Sequence, residues 1–476
     1  MYRSPQFLIP LLFLMLMLAL YPAIERFEFD SDEGLNLIKG QLIAGGHELY
    51  STTWSDQPPL FSQCLALLYR FAGARVDLAR FLVLFSSAVL LGSVWSIAVS
   101  AGGMSTGIAT VLLLLTLPDY VVLSMSVMVG LPALSLASVS LAFLMAWHRH
   151  GRRRWLAVSG IALGLSVLTK LFTAILLPII LIGVILGARG RGFRSGWRPA
   201  VVWVGCFSVV VVGLSILWSV PEHLSQLIAP HYTSQDLDVY RADTVFRWIA
   251  ESSSLLVLAL VGGGYQMMRR RWIYLYPLGW MLLGLALLLD HHPVRYHHRL
   301  LYTVPAIILA GSLVPPMARA AIGWTSGGTL VARRKVGWLA VLVGVMLVGI
   351  QHWPAFVGTF SRTANGGRIP DSVQFDVVEA MREHAGPGDV VVTDRLMYAF
   401  RAGLNVPPHL AVISSKRLRT GALTGSDVLE FISRERPAVV LFERFKWESV
   451  IPWLDENYDS LASGNGPVLY LRREHP

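Results

Sequence analysis

The sequence predicts a polytopic α-helical membrane protein, with about eleven transmembrane helices and a C-terminal α/β domain outside the cytoplasm. Three observations carry that expectation. Of 476 residues, 54% are hydrophobic and only 15% charged, against about 25% charged in soluble globular chains. Windows long and apolar enough to cross a bilayer, which takes about 20 residues, recur through the first 352 positions. The pattern then changes to short β-type runs alternating with amphipathic stretches.

In chain order the predicted spans are 7–24, 79–99, 104–118, 127–147, 155–172, 174–188, 199–219, 253–268, 273–290, 299–314 and 336–352. The first is longer than a signal-peptide apolar core, and no small-x-small cleavage site follows it, so it reads as an uncleaved anchor. With residue 1 in the cytoplasm and spans alternating, the inner segments carry sixteen Arg and Lys and no acid. The outer segments 25–77 and 220–252 carry thirteen acids and six bases. The positive-inside rule then sets N-in and C-out, and the net charge of +10 reports topology rather than nucleic-acid binding. Residues 353–476 form the second domain. GDVVVTD, HLAVISS, PAVVLFE and PVLYLRR read as strands, with helical patterns near 371–385, 426–434 and 446–456 between them. That alternation predicts a mainly parallel sheet, serving as a binding or docking module. Cys64 and Cys206 form no metal or redox pattern and read as small core residues.

Polar residues within spans are costly and mark candidate functional sites. Arg80, Asp119, Lys170 and Asp290 all fall at outer span ends on this topology. On the same face lie Asp30, Asp32 and Glu33 of FEFDSDEG and the run HHPVRYHHR. Snorkelling explains any one of them, but not their shared side. In the first outer loop, LNLIKGQLIAGG and LFSQCLALLYRFA are too short to span and are expected to lie along the interface. The tandem prolines of WSDQPPL fix the start of the second of these helices. His291, His292, His297 and His298 suit a polar hinge better than a metal site. Trp54, Trp218 and Tyr274 read as interface-belt aromatics.

DSDEG, YSTTWSDQPPL, GLSVLTK and HPVRYHHRLLYTVPAIILAG, in this order and all on the outer side, resemble the bacterial protein O-mannosyltransferase and aminoarabinose-transferase superfamily of GT-C glycosyltransferases. The resemblance implies transfer of a sugar from a polyprenyl-phosphate donor to a hydroxyl on a protein, lipid or cell-envelope glycan, at the outer face of a bacterial inner membrane. It places the catalytic base at Asp32, with Glu33 beside it. Lys170, Arg295, Tyr296 and Gln57 are the implied donor-phosphate residues, with Asp30, Arg80 and Asp119 supporting. A divalent cation is left open. Two positions depart from the pattern. Relatives often carry a basic residue where this chain has Gln57, and many have a carboxylate where VMVGLPAL has Gly130. A transporter or lipid flippase is the alternative class, expected to show internal repeats and midplane polar residues. A scaffold presenting the C-terminal domain is a third.

Overall fold

A computed structural model describes residues 5–24, 28, 30–189, 197–233, 242–291, 294–317, 339, 342–355, 357–358, 374–386, 388–462 and 467–473. The predicted inner segment 315–336, most of the loop 188–198 and His292 lie largely or wholly outside them.

Each of the eleven predicted spans holds a helix among the described residues. These helices are α1 (Pro5–Ile24), α4 (Val76–Gly102), α5 (Met104–Leu115), α7 (Gly130–His150), α8 (Arg153–Thr169), α9 (Leu176–Arg189), α10 (Trp197–Leu217), α13 (Ser253–Met268), α14 (Leu275–Asp290), α15 (Leu300–Gly311) and α16 (Leu342–Ala355). Six described helices are long and apolar enough to cross a membrane, or seven if a bent pair is counted as one span. In that pair α12 (Ala242–Glu251) meets α13 at 77°. The protein is a multi-pass membrane protein. Val209, Val212 and Ile216 of α10 are exposed, as a lipid-facing surface requires. Inside the bundle, Ser140 Oγ donates to the Ser159 carbonyl (2.8 Å) and Trp203 Nε1 to Ser159 Oγ (3.1 Å). Such bonds join α7, α8 and α10 where no water competes. Between α4 and α5 the chain reverses at Gly103, whose φ of 89° lies in the region that favours glycine. Its N–H closes α4 on the Val99 carbonyl.

The first outer loop holds α2 (Ser31–Ala44) and α3 (Leu60–Ala72). α3 exposes Leu67 and Phe71, in keeping with an interfacial helix. The surface placement expected for α2 is wrong. Leu37 and Ile38 are fully buried, because one side of α2 packs on α3 and α4 and the other on the C-terminal helix Leu396–Ala402, in one apolar cluster with Val377, Met397, Val439 and Leu469. At Gly34 the approach is so close that an added Cβ would stand 2.4 Å from the Met397 backbone nitrogen.

The C-terminal region contains α17 (Phe375–His384), β1 (Val391–Thr393), α18 (Leu396–Ala402), α19 (Ser415–Arg419), α20 (Gly425–Glu435), β2 (Val439–Leu441), α21 (Ile451–Asn457), β3 (Tyr458–Ala462) and β4 (Val468–Arg472). The sheet order is β1-β2-β4-β3. Only β1 and β2 are parallel, whereas β4 runs antiparallel to both β2 and β3, so the mainly parallel expectation is corrected. The connection from Ala462 to Val468 is too short for the crossover that a parallel pair needs, so β3 and β4 pair antiparallel. HLAVISS is not a strand. It holds a 3-10 turn at Pro408–Leu410 and a buried loop ending at the Ser414 cap of α19. The cysteines are also not core residues: Cys64 is exposed and Cys206 half-buried.

Candidate active site

The site begins with how α2 is held. Asp30 caps the helix, accepting the Asp32 N–H at 2.9 Å, and such a cap contributes about 1 kcal/mol. One turn in, Glu33 is 0% exposed and Arg80 of α4 1%. Arg80 donates to both Glu33 oxygens, Nε to Oε1 at 2.7 Å and Nη2 to Oε2 at 3.0 Å. Glu33 Oε1 also accepts the Val127 N–H (3.1 Å), and Asn36 Nδ2 donates to the Val127 carbonyl (2.9 Å). Glu33 and Arg80 therefore fasten α2 to α4 and to the segment before α7. They stand behind the site rather than in it.

With that face fixed, Asp32, Leu35, Asn36 and Lys39 share another face of α2 at i, i+3, i+4 and i+7 spacing. All four line a cavity of about 110 Å³. Lys170 and Arg295 line it from the membrane region, beside Gln57 and Asp56 of the outer loop. Asp32, Gln57, Lys170 and Arg295, separated widely in sequence, are thus brought together. Lys170 caps α8 where the helix breaks into the 3-10 turn Leu171–Ile175, and its ammonium lies 4.4 Å from the Phe172 ring centroid. A Cβ added at Gly130 would lie 3.8 Å from Lys170 Nζ, so the missing carboxylate at this position leaves the lysine facing the cavity.

The C-terminal region closes the cavity. Lys416 Nζ donates to Asp56 Oδ2 at 2.9 Å, and Arg444 Nη2 lies 3.9 Å from Asp32 Oδ1. Arg444 is placed by Asp394 at the end of β1. That carboxylate accepts the N–H groups of Glu443, Arg444 and Phe445 and the Trp447 indole N–H, at 2.9 to 3.3 Å. A turn with three main-chain donors on one carboxylate is rigid, so Arg444 projects from a fixed base. Beside it Arg395 bridges Glu28 (2.9 Å) and Glu443 (3.2 Å).

A second cavity of about 430 Å³ adjoins the first and shares Arg295 and Arg444 with it. Asp30 and Tyr296 line this one instead. Burial and the neighbouring Asp32 carboxylate push the Asp30 carboxyl up to about 6. Asp119 belongs to neither lining; it pairs with Arg299 at 3.2 Å. His291, His297 and His298 line the first cavity. Among the described residues no three His, Cys, Asp or Glu side chains converge as a metal-ligand set. Trp54 and Tyr274 are buried in protein rather than placed in an aromatic belt, Trp54 lying 5.8 Å from the Arg417 guanidinium.

Lys39, Lys416 and Arg444 escaped the sequence reading. Lys39 carried a signal, its seven-residue spacing from Asp32. The other two sit in a region with no motif linking them to the membrane helices.

A helical membrane bundle whose first outer loop is capped by a small α/β region is a GT-C-like fold, and the resemblance read from the sequence is borne out at that level. Residues 56–218 match the family model described as dolichyl-phosphate-mannose-protein mannosyltransferase. The fold is similar to ArnT from Cupriavidus metallidurans in the apo state (17% identity, TM-score 0.67, 97% of each chain). It is equally similar to the same protein bound to undecaprenyl phosphate (16%, 0.68, 97% of each chain). The Archaeoglobus fulgidus oligosaccharyltransferase tethered to an acceptor peptide also matches, at 11% identity and a TM-score of 0.57, over 99% of this chain and 74% of that one. No curated protein matches the sequence.

Proposed function

We propose that the protein is a membrane glycosyltransferase. It would move a hexosyl or pentosyl group from a polyprenyl-phosphate donor to a hydroxyl acceptor at the outer face of a bacterial inner membrane. The observation that carries this reading is a carboxylate, Asp32, on the same cavity as Lys170 and Arg295. The acceptor oxygen attacks the anomeric carbon and its proton passes to Asp32. The bond from that carbon to the phosphate oxygen breaks, and the polyprenyl phosphate leaves with the electron pair. Attack opposite the leaving group inverts the anomeric centre. Phosphate is a stable leaving anion, so the chemistry calls for cations near it rather than a general acid. Lys170 and Arg295 supply them in a site of low dielectric. Arg444, its guanidinium 3.9 Å from Asp32, borders the same carboxylate. Support comes from the fold shared with ArnT, whose structure holds undecaprenyl phosphate, and from the Arg- and Lys-rich segments on the opposite side of the spans, which by the positive-inside rule favour a site facing away from the cytoplasm. The acceptor is a protein, a lipid or an envelope glycan.

The test supplies membranes containing the protein with radiolabelled polyprenyl-phosphate sugar. Wild type transfers label and Asp32→Asn does not, at equal expression. Full transfer by Asp32→Asn removes it from the base role. Movement of labelled lipid across the membrane without transfer by the wild type replaces the enzyme reading with a flippase.

A further inference from the structure

Lys39 is a buried amine with no acceptor among the described residues. It is 1% exposed, and its ammonium makes no hydrogen bond or ion pair with a described residue; Asp56 and Asp32 act on it only at longer range. Burial accordingly lowers its pKa. A lysine side chain is almost never fully buried unless paired, because its charge keeps a large desolvation cost. Its place is not accidental packing, since it lines the cavity two helical turns beyond Asp32, roughly 10 Å along the axis of α2. Lys170, 6% exposed, lines the same cavity with the Phe172 ring against its ammonium. Lys416 reaches this cavity from the C-terminal region, 360 residues from the Asp56 that it bonds, and its charge acts directly on Lys170. At the neighbouring position 57 the chain offers a neutral glutamine. Five cationic side chains, Lys39, Lys170, Lys416, Arg295 and Arg444, therefore converge on one small cavity, opposed there by two carboxylates, Asp32 and Asp56. Convergent cations of this kind are stabilised by a bound anion.

We propose that Lys39 and Lys416 are phosphate-binding residues. Together with Lys170 they form a lysine triad on which the donor's phosphate sits, two of its members coming from α2 and the C-terminal region. The proposal rests on the glycosyltransferase reading for the identity of the anion. It assigns the C-terminal region a direct part in donor binding, with Lys416 supplying the cation that Gln57 does not. The donor site is then complete only while α2, the membrane helices and the C-terminal region are packed together.

The test compares binding of a polyprenyl monophosphate and of the uncharged polyprenol to the full chain in detergent. The variants are Lys39→Met, Lys416→Met and Lys39→Arg. Both methionine variants should bind the monophosphate at least tenfold more weakly and the polyprenol unchanged, while Lys39→Arg retains part of the affinity. The thermal midpoint of ligand-free Lys39→Met should equal or exceed that of wild type, since an unpaired buried charge has been removed; a lysine kept for structure would give a fall. Unchanged monophosphate affinity in both methionine variants, with wild type binding normally, overturns the triad. A wild type that binds neither lipid overturns the glycosyltransferase reading on which the triad rests. Equal loss of both lipids in the methionine variants shows a packing defect and also overturns it.

Discussion

Replacing Glu33 by Gln separates a residue that holds the site from one that reacts in it. The substitution keeps the shape and removes the charge. Glu33 lies fully out of solvent and accepts two bonds from Arg80, at 2.7 and 3.0 Å, and one from Val127. Arg80 is equally enclosed, so neutralising Glu33 takes the paired carboxylate away from a guanidinium in a low-dielectric interior. Breaking a buried pair from one side costs about 3–5 kcal/mol. The whole cost falls on the junction that fixes α2, so Asp32 shifts as well. The assay is thermal unfolding of the purified protein in detergent beside the transfer assay. Glu33→Gln should unfold at a clearly lower temperature and transfer poorly. Removing both charges with Glu33→Met and Arg80→Leu should recover much of the stability, since apolar replacement of a buried pair is often neutral or better. A Glu33→Gln protein as stable as wild type yet inactive would refute the holding role and return Glu33 to the chemistry.

Two further outcomes follow from individual contacts. Gly130→Glu places a carboxylate against Lys170, where an added Cβ meets the ammonium at 3.8 Å. It should weaken polyprenyl-phosphate binding by tenfold or more, while Gly130→Ala binds nearly as wild type. Asp30 titrates at about 6 in the folded protein, raised from 3.8 first by burial and then by Asp32. A raised carboxyl adds stability that is complete below the unfolded value and is lost as pH rises through the folded one. Wild type should therefore lose stability between pH 4 and 6 relative to Asp30→Asn, which keeps the helix cap. The gap approaches about 3 kcal/mol above that window, at 1.36 kcal/mol per pH unit. Parallel pH–stability curves for the two proteins would contradict the shift.

Much of this architecture was legible in the sequence, for a physical reason. A lipid-facing helix must be apolar along its whole length, so the apolar windows of the sequence mark where the membrane-region helices lie, although only six described helices are long and apolar enough to cross by themselves. The one-sided gathering of Asp32, Lys170 and Arg295 followed from charge asymmetry between loops. Long-range pairing left no such mark. Glu33 looked like a neighbour of the base because nothing local shows that Arg80, 47 residues away, claims both of its oxygens. α2 looked interfacial because an amphipathic pattern records that a helix has a polar and an apolar side, not what covers each. Its cover comes from residues beyond 377. β3, reading YDSLA, is a polar edge strand with little hydrophobic signal. Val412 and Ile413 of HLAVISS are apolar because they are buried in a loop, a burial that short apolar runs share with strands.

A density map of the full chain with a bound polyprenyl phosphate would test the proposed site most directly. The phosphate is expected between α2 and the C-terminal region, within hydrogen-bond reach of Lys39, Lys170 and Lys416, with Asp32 open beside it. Phosphate density elsewhere, with these three ammonium groups still turned to an empty cavity, would contradict it.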